Sequence, residues 1–351
     1  MFTVKGRNKS KRLTVNGAVV FMALLFFILL GPGLSNIDVS RASGGAGDWS
    51  NFCSRTAWYA FLACQNEVKD DFWITKGNCI NVSNPALRNN CKDDASDERN
   101  EGEELCKDQL EARKEVCEDL GEDRYDPKLR PKDFNTPKQN PYFPLEPGTV
   151  WVYEGETEEG TETITVKVTY DTKEIEYPED SDKWFTCIVV KDTVEFDGEV
   201  IEDTDDWYAV DNDGNVWYFG EIARNYEDGE LVDLEGSWKA GRDFAKPGIL
   251  MRANPDPDDE DQNPYRQEFA LGDAEDLAEV ISRDTAEVDV PYGSWGEGDD
   301  VVETRDFTPI EPDVEENKYY VPDVGLVLEV NPETGERVEL LSKDTFPPPS
   351  P

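Results

Sequence analysis

The sequence predicts a mainly β protein. It reads as a large antiparallel β-meander, a curved sheet or half-open barrel, preceded by a small disulfide-stapled α-helical hairpin. Three observations predict this. Asp205–Glu221 reads as an aromatic β-hairpin, strand patterns follow one another after residue 149 with no helix between them, and six cysteines are symmetrically spaced. In the hairpin, Trp207, Ala209, Trp217 and Phe219 fall on one face, and Tyr208, Val210, Val216 and Tyr218 on the other. Asn212-Asp213-Gly214 fits a three-residue loop, with pairs from Val210–Val216 out to Trp207–Phe219. Neither face is polar, so the hairpin belongs mid-sheet and covered on both sides.

The chain has 351 residues and a net charge of −43, which disfavours nucleic acid and anionic membrane surfaces. Acid spread along the whole chain fits solubility in a saline environment. There is no histidine, which excludes a Ser-His-Asp triad, a Cys-His pair and a His-ligated metal.

Residues 1–42 read as a signal peptide or membrane anchor. A basic start (Lys5, Arg7, Lys9, Lys11, Arg12) precedes the apolar run Gly17–Leu30. Cleavage after Ala42 would start the mature chain at Ser43. An uncleaved anchor is the competing reading, and would be the chain's one membrane contact. The expected location is outside the cytoplasm: extracellular, periplasmic or on the cell surface.

Residues 48–121 hold six cysteines with spacings 11, 15, 12, 15 and 11, the same in either direction. Eleven residues turn a helix about 20° past three full turns. Two antiparallel helices with level cysteines therefore pair Cys53 with Cys117 and Cys64 with Cys106. Cys79–Cys91 then closes the connecting segment, for which Asn78–Asn90 reads as a loop around Asn84-Pro85. A thiolate metal site is the competing reading, but CxxC pairs are absent. Residues 122–148 are Pro-rich and read as an extended linker.

Residues 149–343 carry the β domain. Val150–Tyr153, Thr163–Tyr170 and Trp184–Val190 open it, and Asp197-Gly198 and Asp228-Gly229 mark two-residue turns. Further strands are expected at Gly248–Arg252, Tyr265–Leu271, Glu275–Arg283, Glu287–Val290, Val301–Phe307, Lys318–Val321, Leu326–Val330 and Arg337–Leu341. Residues 344–351 read as a disordered tail. The blocks NPYFPLEPGTVWVYEG (140–155), DWYAVDNDGNVWYFGE (206–221), YRQE (265–268) and VPDVGLVLEV (321–330) resemble a group of exported bacterial proteins with no established activity. The resemblance covers about residues 140–341 and implies an exported curved β-meander, with no catalytic residue to carry over.

Three site readings follow. Asp211, Asp213 and Asn215 alternate around Gly214 as calcium ligands do, although a hairpin turn explains the same residues. Glu221, Arg266 and Glu268 place charges beside aromatic strands, as a carboxylate-dependent carbohydrate-active enzyme would need. Cys187 stands among apolar neighbours and reads as a buried thiol. The leading expectation is an exported, non-enzymatic binding or structural module. It needs no cofactor and holds an apolar ligand or a protein partner in the curved sheet. The carbohydrate-active enzyme is the alternative.

Overall fold

The structure, a computed structural model, describes residues 51–157, 160–259, 262–284 and 286–348. The basic and apolar N-terminal segment lies outside them. Among the described residues no helix is long and apolar enough to cross a membrane. They form two compact units, 51–126 with 308–313, and 127–307 with 314–348.

The first unit is an antiparallel pair of helices, α1 (Phe52–Ile80) and α2 (Pro85–Leu120). Its core is thin, with Ala57, Ala60, Ala95, Leu110 and Val116 buried beside cysteines. Cross-links replace the missing apolar area. Cys53–Cys117, Cys64–Cys106 and Cys79–Cys91 join the helices at Cα separations of 5.6, 5.8 and 5.7 Å. The expected loop at Asn78–Asn90 shrinks to residues 81–84. The Asn84 side chain accepts from the N–H groups of Ala86 and Leu87, and Pro85 takes the first helical position, where it lacks no needed donor. Cys79 and Cys91 therefore sit on helices. At the other end the Phe52 N–H donates to the Glu122 carbonyl (2.9 Å) and the Ser54 N–H to its carboxylate (3.0 Å).

The second unit is the β domain. Its strands are β1 (Thr149–Glu156), β2 (Thr161–Glu176), β3 (Trp184–Phe196), β4 (Glu199–Val210), β5 (Val216–Ile222), β6 (Asn225–Glu227), β7 (Glu230–Asp233), β8 (Trp238–Lys239) and β9 (Lys246–Met251). They continue as β10 (Tyr265–Arg266), β11 (Glu268–Phe269), β12 (Leu277–Arg283), β13 (Val288–Val290), β14 (Gly293–Trp295), β15 (Val302–Phe307), β16 (Glu315–Val321), β17 (Gly325–Val330) and β18 (Arg337–Thr345). All but β13 and β14 belong to one sheet, ordered β10-β12-β15-β16-β17-β18-β1-β2-β3-β4-β5-β9-β11, with β6, β7 and β8 as side branches. Its pairings are antiparallel, as short connections require. Asp197-Gly198 and Asp228-Gly229 both have positive φ, as a two-residue turn between twisted strands needs.

The two ends of this path, β10 and β11, are separated in the chain by Gln267 alone, so the sheet nearly closes into a barrel. Gln267 spans the seam. Its N–H donates to the Asp276 carbonyl (2.8 Å), and its side chain donates to the Leu250 carbonyl and the Asp306 carboxyl (3.3 Å each). The strand expected at Tyr265–Leu271 is broken here because its first half pairs with β12 and its second with β9. At Gly248 a Cβ would collide with the backbone of Arg266 and Gln267, so glycine is what lets the edges meet.

The Pro-rich stretch, expected as an extended linker, belongs to the β unit from Pro127 onward. Phe134 lies edge-on to Phe185 (5.1 Å) and Phe219 (6.1 Å), covering the outside of β3 and β5. Residues 140–144 cross one end of the barrel. Asn140, 1% exposed, donates to the carbonyls of Gly214 and Arg252 and accepts from the N–H groups of Tyr142 and Phe143. Tyr142 donates to Asp300 (2.6 Å), and the Asp323 N–H donates to the Pro141 carbonyl (2.8 Å). Phe143 packs against Tyr208 (5.3 Å). We call this the plugged end.

Two register details depart from expectation. Val210–Val216, Ala209–Trp217 and Tyr208–Tyr218 pair, but a bulge then brings Asp206 opposite Glu221, so Trp207 and Phe219 are not partners. Trp207, Tyr208, Tyr218 and Phe219 are buried, while Trp217 is half-buried. At the C-terminus, Asp344 and Thr345 pair with Val150 and Thr149, and the Phe346 N–H donates to the Gly148 carbonyl (2.7 Å). Residues 344–346 are therefore ordered, contrary to the expected disordered tail, because β1 offers them a free ladder.

Candidate functional site

Residues directly opposite in neighbouring strands share a face. Following the pairs around the sheet puts Tyr153, Glu162, Asp192, Glu202, Asp206, Tyr208, Tyr218, Glu221, Asp306, Glu316, Lys318, Tyr320 and Glu329 on the inside. The interior is divided along its axis. Toward the plugged end it is lined by Trp151, Val168, Val190, Tyr208, Val216, Val302 and Tyr320. Toward the far end the same strands carry Glu162, Asp192, Glu202, Asp306, Glu316 and Glu329. The expected apolar concave face is thus only half right, because acids replace apolar residues at in-facing positions of seven strands. Lys318 keeps 23% of its side chain accessible, and Glu316 and Glu329 21% each. These three side chains are therefore not fully enclosed.

On one side of the interior Lys318 stands among Glu316 (3.2 Å), Asp306 (3.6 Å) and Glu329 (3.8 Å). Burial alone would lower the Lys318 pKa, but Glu329, Glu316 and Asp306 together hold it well above the ordinary value. Burial pushes Glu329 up to about 7 despite the ammonium beside it, with Glu316 and Asp306 adding to the rise.

On the other side stand Asp192, Glu202, Asp206, Glu221 and Glu268. The Tyr218 hydroxyl lies 2.5 Å from Asp206 and 2.9 Å from Glu221. It has one proton and can donate to only one of them, so the other contact needs a proton on the carboxyl itself. Burial, then Asp206, raises Glu221 well above the usual range. Asp206 rises to about 7 through burial, opposed by the hydroxyl of Tyr218. One carboxyl of this pair therefore shares a proton with the Tyr218 hydroxyl when both contacts are hydrogen bonds. Glu268 is also raised well above the usual range, by burial and then by Asp276 and Glu221, against a Trp238 N–H that lowers it. Burial, Asp206 and Glu202 raise Asp192. Tyr208 and Tyr218 stack at 4.7 Å, and Trp238 meets Tyr218 edge-on at 5.3 Å.

Glu221 and Glu268, singled out in sequence, thus meet in one cluster, whereas Arg266 stacks on Phe269 (4.8 Å). Asp192, Glu202, Asp206 and Lys318 escaped notice, although each stands in phase with the apolar side of its strand. Asp211, Asp213 and Asn215 organise the hairpin loop. One oxygen of Asp211 accepts from the N–H groups of Asp213, Gly214 and Asn215, and the other from the side chains of Asn215 and Trp217. Among the described residues no three His, Cys, Asp or Glu side chains stand in metal-ligating geometry. Cys187 is buried, and burial raises its thiol pKa. A surface hollow at Lys191, Asp203 and Tyr226 has its charges matched by Lys191–Asp203 (2.6 Å) and Arg224–Asp205 (2.7 Å).

No family model matches the chain, and no curated protein matches it. Among solved structures, a chain described as a "putative lipoprotein from Parabacteroides distasonis ATCC 8503" aligns over 59% of this chain and 100% of its own, at 14% identity and a TM-score of 0.30. A likeness that slight carries neither fold nor function across. The three disulfides fit an exported protein, because such bonds persist in oxidising compartments.

Proposed function

We propose that this is an exported, non-enzymatic binding module that takes a small positively charged ligand into the far half of its barrel. The observation that carries the reading is an imbalance. Three interior carboxyls surround one ammonium, that of Lys318, while Asp192, Glu202, Asp206, Glu221 and Glu268 answer chiefly to burial, to other carboxyls and to neutral donors. Buried acids without a counter-charge hold protons or take up cations. The resemblance of residues 140–341 to exported bacterial proteins belongs to the same proposal, as does a signal peptide at residues 1–42.

The test is a thermal-shift panel on residues 43–351 at pH 7, comparing cations, anions and neutral sugars of similar size. A rise in melting temperature confined to cations is expected. Stabilisation by anions or neutral sugars alone would remove the reading. A second reading, carboxylate-dependent sugar hydrolysis, is favoured by one observation: two carboxyls, Asp206 and Glu221, flank the Tyr218 hydroxyl. Aryl-glycoside hydrolysis that is lost in both Asp206→Asn and Glu221→Gln would carry it instead.

A further inference from the structure

We propose that the cation is an organic ammonium, a primary amine or short polyamine, bound between the Asp206–Glu221–Glu268 cluster and the rings of Tyr208, Tyr218 and Trp238. This rests on the cation-binding reading above and narrows it to one chemical class.

Four observations lead there. First, the barrel already holds one ammonium. Lys318 is met by three carboxyls at 3.2–3.8 Å, which shows the spacing this interior offers to an N–H donor group. Second, Glu268 is only 5% exposed, and its Oε2 has no well-formed hydrogen bond, although the Trp238 N–H lies close enough to lower its pKa. Asp192 Oδ1, on the same side of the barrel, has none either. Buried acceptors of this kind are normally satisfied by water or a ligand. Third, the rings of Tyr208, Tyr218 and Trp238 pack together beside the carboxyls, an aromatic border of the kind that organic-cation sites use. Fourth, the carboxyls do not converge as metal ligands do. Acceptors spread along a wall suit a ligand with several N–H donors at a distance from one another, whereas a metal ion needs its oxygens within about 2.0–2.6 Å of one point.

The exchange balances in protons. Each ammonium group of the ligand takes the place of one carboxyl proton of the cluster as counter-charge, and that proton leaves to solvent. No covalent bond is made or broken.

The experiment is titration calorimetry of residues 43–351 with putrescine, spermidine, tetramethylammonium and calcium chloride. It is run in two buffers of different ionisation enthalpy at pH 7. Putrescine or spermidine should bind at one site with net proton release. Glu268→Gln should weaken binding at least tenfold. It is isosteric with the carboxyl it replaces, so the fold should survive. Glu154→Gln, on the outer face of β1, should leave binding unchanged. Tetramethylammonium, which has no N–H donor, should bind far more weakly. Calcium binding without amine binding would overturn this inference and leave the cation reading standing. Failure of every cation would overturn both. Amine binding that is unaffected by Glu268→Gln would place the ligand elsewhere and overturn the assigned site.

Discussion

Asp206 and Glu221 lie on either side of the Tyr218 hydroxyl, and that arrangement can be tested without any ligand. A bulge in β4–β5 sets the two carboxyls opposite each other. Asp206 has its pKa raised to about 7, chiefly by burial, so it ionises near neutral pH. Asp206→Asn keeps an oxygen to accept from Tyr218 and removes the ionisation. We expect the variant to be more stable than the parent at pH 8 and equally stable at pH 5, by denaturant unfolding at each pH. A variant less stable at both would mean that Asp206 is held charged by a partner. The cluster was half legible. Glu221 and Glu268 drew notice because they follow or flank aromatic residues. Asp192 and Asp206 did not, since an acid in a strand ordinarily points to water. Only the pairing register shows that they face inward.

At the scale of elements, the seam and the plug hold the barrel together through few groups. Gly248→Ala should destabilise the β unit by about 1–3 kcal/mol, since the added methyl meets backbone on the next strand rather than a movable side chain. Asn140→Ala should cost about 2–3 kcal/mol, because the buried carbonyls of Gly214 and Arg252 lose their donor. Urea unfolding measures both, and unchanged midpoints would mean that the barrel closes by other contacts. The helical hairpin offers a comparison. Its longest bridge spans 64 residues and its shortest 12. In the chain-entropy model, removing Cys53–Cys117 should cost about 1–2 kcal/mol more than removing Cys79–Cys91. The hairpin was readable because cysteine spacing and helical period agree. Strand order was readable as a meander because each turn is short. The seam was not, since one residue switching partners at Gln267 leaves no periodic mark. Nor was the plug, whose Asn, Tyr and Phe follow no period and act through single hydrogen bonds.

The barrel interior of this molecule carries many buried acids, and stability should depend on pH in a direction opposite to that of most acid-sensitive proteins. Asp192, Glu202, Asp206, Glu221, Glu268, Asp306 and Glu329 all have raised pKa values, with burial the first cause in each. A carboxyl whose folded pKa lies above its unfolded value binds more protons folded than unfolded in the interval between them. Its contribution is complete below the unfolded value, about 4, and is lost as pH rises through the folded value. For Asp206 and Glu329 that upper limit is about 7. The shifts of these two groups correspond to about 3–4 kcal/mol each as an upper bound. Lys318 does not offset this, since its raised pKa keeps it charged throughout the range. Asp300 opposes it only in more acid solution, because Arg283 lowers its pKa. The melting temperature should therefore fall steadily from pH 5 to pH 8. The net charge of −43 also destabilises the fold as carboxyls ionise, but that surface repulsion is screened by salt. Repeating the series in about 1 M sodium chloride, where the screening length is about 3 Å, separates the two causes. A slope that survives high salt belongs to the interior acids. A slope that vanishes belongs to the surface, and the interior would then be permanently protonated or already matched by cations.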